Sequence, residues 1–185
     1  TLGCECLIKV FGETVKGSLV MELLTNIVTF ADPPSLDSCS RDVYKPEAPM
    51  KPKEAVYMVS KLLDALEKLH SNGVCHGDFY GHNILVKSEG SFSVKLTDFG
   101  AAFLYDKSSQ YGRLIERIEM RAFGHLVDEV NILAQRSGLD DTESISAHQL
   151  LSEIGEICAS ATTEVSFAQL QNKLGGKLST FHNFK

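Results

Sequence analysis

The sequence predicts an α+β fold, mainly helical, with its strands short and few. Three observations carry this expectation. Short β-prone runs open the chain, a long amphipathic pattern covers residues 52–71, and a second pair of short strands leads into further helical stretches.

The elements follow in order. Runs 6–11 and 18–23 are β-prone and are joined by a segment from Gly12 to Gly17, which predicts a hairpin-like start. Residues 31–53 hold all five prolines and many polar side chains, so they predict a long loop or insertion. In the helix at 52–71, Ala55, Val59, Leu62, Leu66 and Leu69 form one stripe. Val56, Met58 and Leu63 widen it, predicting burial on more than one side. Pro52 suits the first turn, and Gly73 stops the helix. Strands at 84–86 and 93–96 are separated by Ser88-Glu89-Gly90. A helix over 114–133 places Ile115, Ile118, Ala122, Leu126 and Val130 on one face. Two capping-box patterns, Ser146-x-x-Gln149 and Ser166-x-x-Gln169, predict two more helix starts, with Gly175 ending the last helix.

Composition bounds the function. At 185 residues and 43% hydrophobic, the chain can bury a core. Its 18 Lys plus Arg against 24 Asp plus Glu give a net charge of −6, which leaves no basic footprint for nucleic acid or a membrane surface. Nothing approaches about 18 consecutive apolar residues, and no leader pattern opens the sequence, so a cytoplasmic protein is expected. Cys4, Cys6, Cys39, Cys75 and Cys158 are odd in number and scattered, which predicts reduced thiols. Cys4-x-Cys6 has no second pair at metal-binding spacing, which favours packed strand cysteines over a metal site.

The chemistry concentrates in Cys75-His76-Gly77-Asp78-Phe79-Tyr80-Gly81-His82-Asn83-Ile84-Leu85-Val86, followed by Leu96-Thr97-Asp98-Phe99-Gly100. Each motif alone is weak, because Asp78 and Asn83 could cap a loop and Asp98 could form a turn. Their order on a helix–loop–strand–strand background points to phosphoryl transfer. A triphosphate repels carboxylates unless Mg²⁺ lies between them, and Asp98 and Asn83 are oxygen ligands suited to that ion. Asp78 is the candidate base that orients an acceptor hydroxyl and takes its proton.

These motifs resemble the protein kinase-like superfamily, in a compact, bacterial-type Ser/Thr form, and the likeness spans nearly the whole chain. It implies ATP and Mg²⁺ as cofactors. It also implies that residues 1–24 are a remnant of the kinase N-lobe and hinge, and residues 25–185 the C-lobe. Leu19-Val20-Met21-Glu22-Leu23-Leu24 resembles the hinge strand, with Met21 as gatekeeper and with Glu22 and Leu24 presenting main-chain groups to adenine. Leu85 would floor the ring. Glu119 stands where the family has an Asp that anchors the catalytic loop, and His76 and Phe99 are expected to stack. His82 carries no assigned chemistry.

The sequence also departs from the family. No Gly-rich loop, V-A-I-K-type lysine or partnering glutamate helix precedes Thr1, so the chain is expected to be a fragment with little activity alone. Gly77 replaces the Arg of H-R-D, which removes a partner for an activation-loop phosphate. Only 21 residues separate Asp98 from Glu119, with no A-P-E, and Thr163-Glu164-Val165-Ser166-Phe167 lacks the Arg that would pair with it. Tyr80 replaces a Lys. Two alternatives therefore stand beside a kinase acting on Ser/Thr of a protein. One is a small-molecule kinase like the aminoglycoside or choline phosphotransferases, whose loop is habitually spelled H-G-D. The other is a pseudokinase binding module. Self-association through an exposed strand edge and apolar cleft is expected as well.

Overall fold

A computed structural model describes residues 2–38, 41–45, 50–87, 92–160 and 164–181. The chain opens with a hairpin of β1 (Val10–Glu13) and β2 (Leu19–Met21), paired antiparallel with Val10 opposite Met21 and an irregular register before Gly12. The first strand is shorter than the apolar run suggests. Residues 6–8 instead lie along a later strand, through Leu96 N–H to Cys6 O (2.6 Å) and Ile8 N–H to Leu96 O (3.1 Å). Cys6 is therefore packed but not in a strand. Burial pushes its thiol up to about 12, and the described cysteines are free.

β3 (Val28–Thr29) comes next, a strand that the sequence pattern does not announce. The following loop brings Asp32 and Val43 together in an antiparallel bridge. Then α1 (Pro52–Ser71) runs as expected, from Pro at its first turn to Gly73 at φ 69°. Ala55, Val59, Leu62, Leu63 and Leu66 are wholly buried, because α1 is packed against the three helices that follow it and against two short strands. It is the core around which the rest is arranged.

After α1 come β4 (Val74–Cys75), β5 (Ile84–Lys87), β6 (Ser93–Leu96) and β7 (Phe103–Leu104). β3, β5 and β6 form an antiparallel sheet with β5 in the middle, and β7 returns to pair with β4. The expected strand pair is thus β5 and β6; Ser88-Glu89-Gly90 between them lies outside the described residues.

Three helices close the fold. α2 (Gly112–Gln135) is longer than its periodicity predicts, and its buried face is rotated from the expected one. Of the expected stripe Leu126 and Val130 are buried but Ile118 is 71% exposed, and Glu119, Met120, Phe123 and Val127 join the buried face. Turning Glu119 inward toward β4 sets this rotation. α3 (Thr142–Ala159) starts before the predicted Ser146 cap: Asp141 accepts from Ser144 N–H at 2.9 Å, and Ser146 sits inside the helix, donating to Thr142 O. Asp serves as well as Ser at an N-cap, so the earlier site wins.

α4 (Phe167–Ser179) begins with the predicted box between Ser166 and Gln169 but continues through Gly175. Leu170, Leu174 and Leu178 step by four along one face and are fully buried. Their burial outweighs a helix penalty of about 1 kcal/mol for glycine. No helix among the described residues is long and apolar enough to cross a membrane.

Candidate active site

The site is the loop between β4 and β5, and Glu119 of α2 suspends it. Glu119 is buried, and its Oε1 accepts from Gly77 N–H (2.8 Å) and lies 3.4 Å from the Cys75 thiol. Its Oε2 accepts from His76 N–H (3.0 Å) and meets His70 Nε2 at 2.6 Å. Burial alone would raise this carboxyl, but the bond from His70 and the two backbone N–H groups hold it below its ordinary value. His70 is fixed in turn by the Tyr105 hydroxyl at 2.7 Å. The longer carboxylate reaches the loop and anchors it.

The loop has glycine at 77 for a geometric reason. Gly77 has φ 78°, and a Cβ there would collide with the Ala101 carbonyl oxygen. An Arg at this position is incompatible with so close an approach between the two loops. His76 is wholly buried, with Nε2 2.9 Å from Thr97 O and its ring 4.8 Å from that of Phe99. The expected packing contact between the loops is present.

Asp78 and Asn83 meet directly. Asn83 Nδ2 donates to Asp78 Oδ2 at 2.8 Å and to Asp78 O at 2.9 Å. This use of the amide nitrogen leaves Oδ1 as the free acceptor of a buried side chain. The Asn83 carbonyl in turn accepts from both N–H and hydroxyl of Thr97, each at 2.9 Å, so the residue before Asp98 is stitched to Asn83. Asp98 itself is exposed and left-handed at φ 56°, and its carboxylate accepts from Gly100 N–H at 3.1 Å. A positive φ at a non-glycine residue marks a backbone that its surroundings hold in place.

A donor set of one amide oxygen and one exposed carboxylate suits a hard cation that takes its remaining ligands from phosphates and water. Among the described residues no cluster of three or more His, Cys, Asp or Glu is placed to hold a metal unaided. Asn83 and Asp98 are the residues that would hold such an ion.

An open cleft of about 1140 Å³ adjoins the site, and its walls include Met21, Glu22, Lys95, Asp98 and Phe99. Asp78, Asn83, Leu24 and Leu85 are not among its lining residues. Leu85 lies on β5 opposite Thr29 and Lys95, half-buried, and Leu24 is half-buried beyond β2. Glu22 spends its N–H on Lys9 O (2.9 Å) and its carboxylate on Lys95 (2.7 Å) and Lys9 N–H (2.8 Å). The bond from Lys95 holds this carboxyl below its ordinary value.

Sequence reasoning missed Asp42, in the proline-rich loop, and with it the place of His82. Asp42 Oδ2 accepts from Gly81 N–H (2.8 Å), and Oδ1 accepts from His82 N–H (3.2 Å) and lies 2.7 Å from His82 Nδ1. Its neighbours Arg41 and Tyr44 both reach Glu129 of α2, at 3.6 and 2.7 Å. Tyr80 stacks on His82 with ring centres 5.5 Å apart, and the Arg41 guanidinium lies 4.5 Å from the Tyr80 ring. No local pattern signals these contacts, because Asp42 and His82 are 40 residues apart.

Comparison with known proteins agrees with this geometry. The family model described as the protein kinase domain matches residues 6–122. The chain is 39% identical over 62 residues to a probable serine/threonine-protein kinase PknB of Lactococcus lactis, covering 34% of this chain and 10% of that protein. It is 35% identical over 86 residues to the serine/threonine-protein kinase PkaA of Streptomyces coelicolor, covering 46% and 15%. It is 42% identical over 55 residues to the serine/threonine-protein kinase PKH2 of Saccharomyces cerevisiae, covering 30% and 5%. The matched stretches are thus a small part of these relatives. A crystal structure of the Rad53 kinase domain and SCD2 superposes with a TM-score of 0.57 at 15% identity, covering 91% of this chain and 68% of that one. That likeness speaks for the fold. With a loop hung from a buried carboxylate, an Asp–Asn pair and a neighbouring D-F-G, the chain belongs to the protein kinase domain family.

Proposed function

We propose that this chain is the catalytic-loop portion of an ATP- and Mg²⁺-dependent phosphotransferase that moves the γ-phosphate to a Ser or Thr hydroxyl. The observation that carries the reading is the direct Asp78–Asn83 hydrogen bond, with Asp98 next to Thr97, which bonds the Asn83 carbonyl. Asn83 occupies one lone pair of Asp78 Oδ2, and the rest of the half-buried carboxylate is free to receive a proton. In the transfer the hydroxyl oxygen bonds to the γ-phosphorus, the bond to the departing ADP oxygen breaks, and the hydroxyl proton passes to Asp78. Asn83 Oδ1 and the Asp98 carboxylate would hold Mg²⁺, which when bound offsets phosphate charge. On the same reading Met21, Glu22 and Leu24 border the adenine and Leu85 lies beneath it, so the N-lobe side ends at about residue 24.

A second reading, transfer to a small-molecule alcohol, is favoured by one feature. Only residues 105–111 lie between β7 and α2, in the stretch where the family docks a peptide. Self-association through the hairpin belongs to the same proposal, since Phe11, Leu19 and Leu23 are exposed; sedimentation measures it.

The test is a phosphate-transfer assay on the full-length protein, with Ser/Thr peptides and small alcohols or aminoglycosides side by side. Asp78→Asn is expected to lower turnover by about 100-fold or more while leaving Mg·ATP affinity nearly unchanged. Equal turnover in the two proteins refutes the base assignment. No transfer to any alcohol by the wild type would leave a binding module instead.

A further inference from the structure

α2 leaves one face uncovered. Leu114 and Ile118 lie on it, one helical turn apart, 58% and 71% exposed. Arg113, Arg117 and Arg121 follow one another at intervals of four, so they form a row of about 12 Å along the helix beside that apolar pair. Arg113 and Arg121 are exposed, and Arg117 is half-buried. The chain as a whole carries a charge of −6, which makes a basic row next to an exposed leucine and isoleucine a local exception.

The row is short of negative partners. Neither Arg117 nor Arg121 has an acidic residue three or four positions away along α2, where a carboxylate would pair with it. Each has another arginine there instead, an arrangement that repels. Arg113 meets Glu164 at 3.9 Å, with the two side chains 86% and 87% exposed, a contact that water and salt screen. Arg117 gives one Nη to the Ser160 carbonyl, which holds its side chain in place, and its other Nη has no partner among the described residues. Beside the row opens a cleft of about 900 Å³ whose walls include Lys107 and Leu114 as well as Arg113 and Arg117. Two carboxylates in those walls are already engaged: Glu67 accepts from the Ser71 hydroxyl and Glu116 from Phe167 N–H, each at 2.7 Å.

We propose that this face of α2 docks an acidic amphipathic helix of a partner protein. Carboxylates at i, i+4 and i+8 of such a helix repeat the spacing of the three arginines, and apolar side chains on its adjoining stripe cover Leu114 and Ile118. A bilayer is the poorer match. Three arginines on a chain of charge −6 are too few for attachment to an anionic surface, and the concave cleft suits an inserted side chain rather than a flat sheet of headgroups. Nucleic acid meets the same unfavourable overall charge. The inference does not rest on the phosphotransferase reading.

The test is fluorescence anisotropy with the full-length protein and a labelled synthetic peptide of about four helical turns, with Glu at every fourth position and Leu beside each. The peptide is expected to bind saturably at low salt, and its counterpart with Gln in place of Glu about tenfold more weakly. Raising the salt from about 50 to about 500 mM should narrow that difference to about twofold. Arg113→Glu combined with Arg121→Glu should reverse the order, so that a Lys version of the peptide binds more tightly than the Glu version. Ile118→Ser should weaken the Glu peptide about fivefold with Tm held to within about 2 °C, which separates docking from folding. Equal binding of the Glu and Gln peptides by the wild type, binding of neither, or an unchanged preference in the double variant overturns the inference. So does attachment to vesicles of phosphatidylcholine and phosphatidylserine without binding of the peptide, which would make the face a membrane contact.

Discussion

Replacing Glu119 by Gln probes the anchor on which the active loop hangs. The carboxylate presents two oxygens to four donor groups: Gly77 N–H and the Cys75 thiol on one side, His76 N–H and His70 on the other. A glutamine has one oxygen, so whichever way it turns, its NH₂ faces one of two backbone N–H groups. His70 can change tautomer to accommodate it, but a backbone N–H cannot turn. One buried N–H is then orphaned, at about 1–3 kcal/mol, and the surviving bond loses its charge assistance, about 1 kcal/mol more. Glu119→Gln is therefore expected to lower unfolding free energy by about 2–4 kcal/mol, measured by urea titration with an unchanged slope. Hydrogen exchange at the His76 and Gly77 amides should accelerate with it. A loss below about 0.5 kcal/mol with unchanged exchange at both amides would show that Glu119 does not support the loop.

Other predictions follow from the same geometry. Because Glu119 is held below its ordinary 4.5 in the fold, its contribution is fully present above that value and is lost as pH falls through the lower folded one. The stability gap between wild type and Glu119→Gln should accordingly shrink on acidification below about 4.5, and a gap independent of pH contradicts the assignment. Gly77→Ala places a methyl against the Ala101 carbonyl at positive φ and is expected to cost about 2–3 kcal/mol with reduced turnover; an unchanged Tm argues against the close approach. Asp98→Asn should weaken Mg²⁺-dependent nucleotide binding in the full-length protein, and calorimetry showing unchanged Mg·ATP affinity rules that role out.

The sequence by itself determined the α+β class, the helix at 52–71, the β5–β6 pair and which residues are candidates for the chemistry. These depend on local periodicity and on motif spacing within a few dozen residues, and both are written along the chain. Tertiary structure alone decided how Glu119 meets His70 and the loop, why residue 77 must be glycine, and that Asp42 orients His82. It also turned α2 so that Ile118 faces outward, and carried α4 past Gly175. In each case the deciding partner is distant in sequence. A buried carboxylate seeking donors, a carbonyl too close for a Cβ, or a row of leucines against α1 outweighs local preference by a few kcal/mol at most. Such margins exist only once the chain has folded around α1.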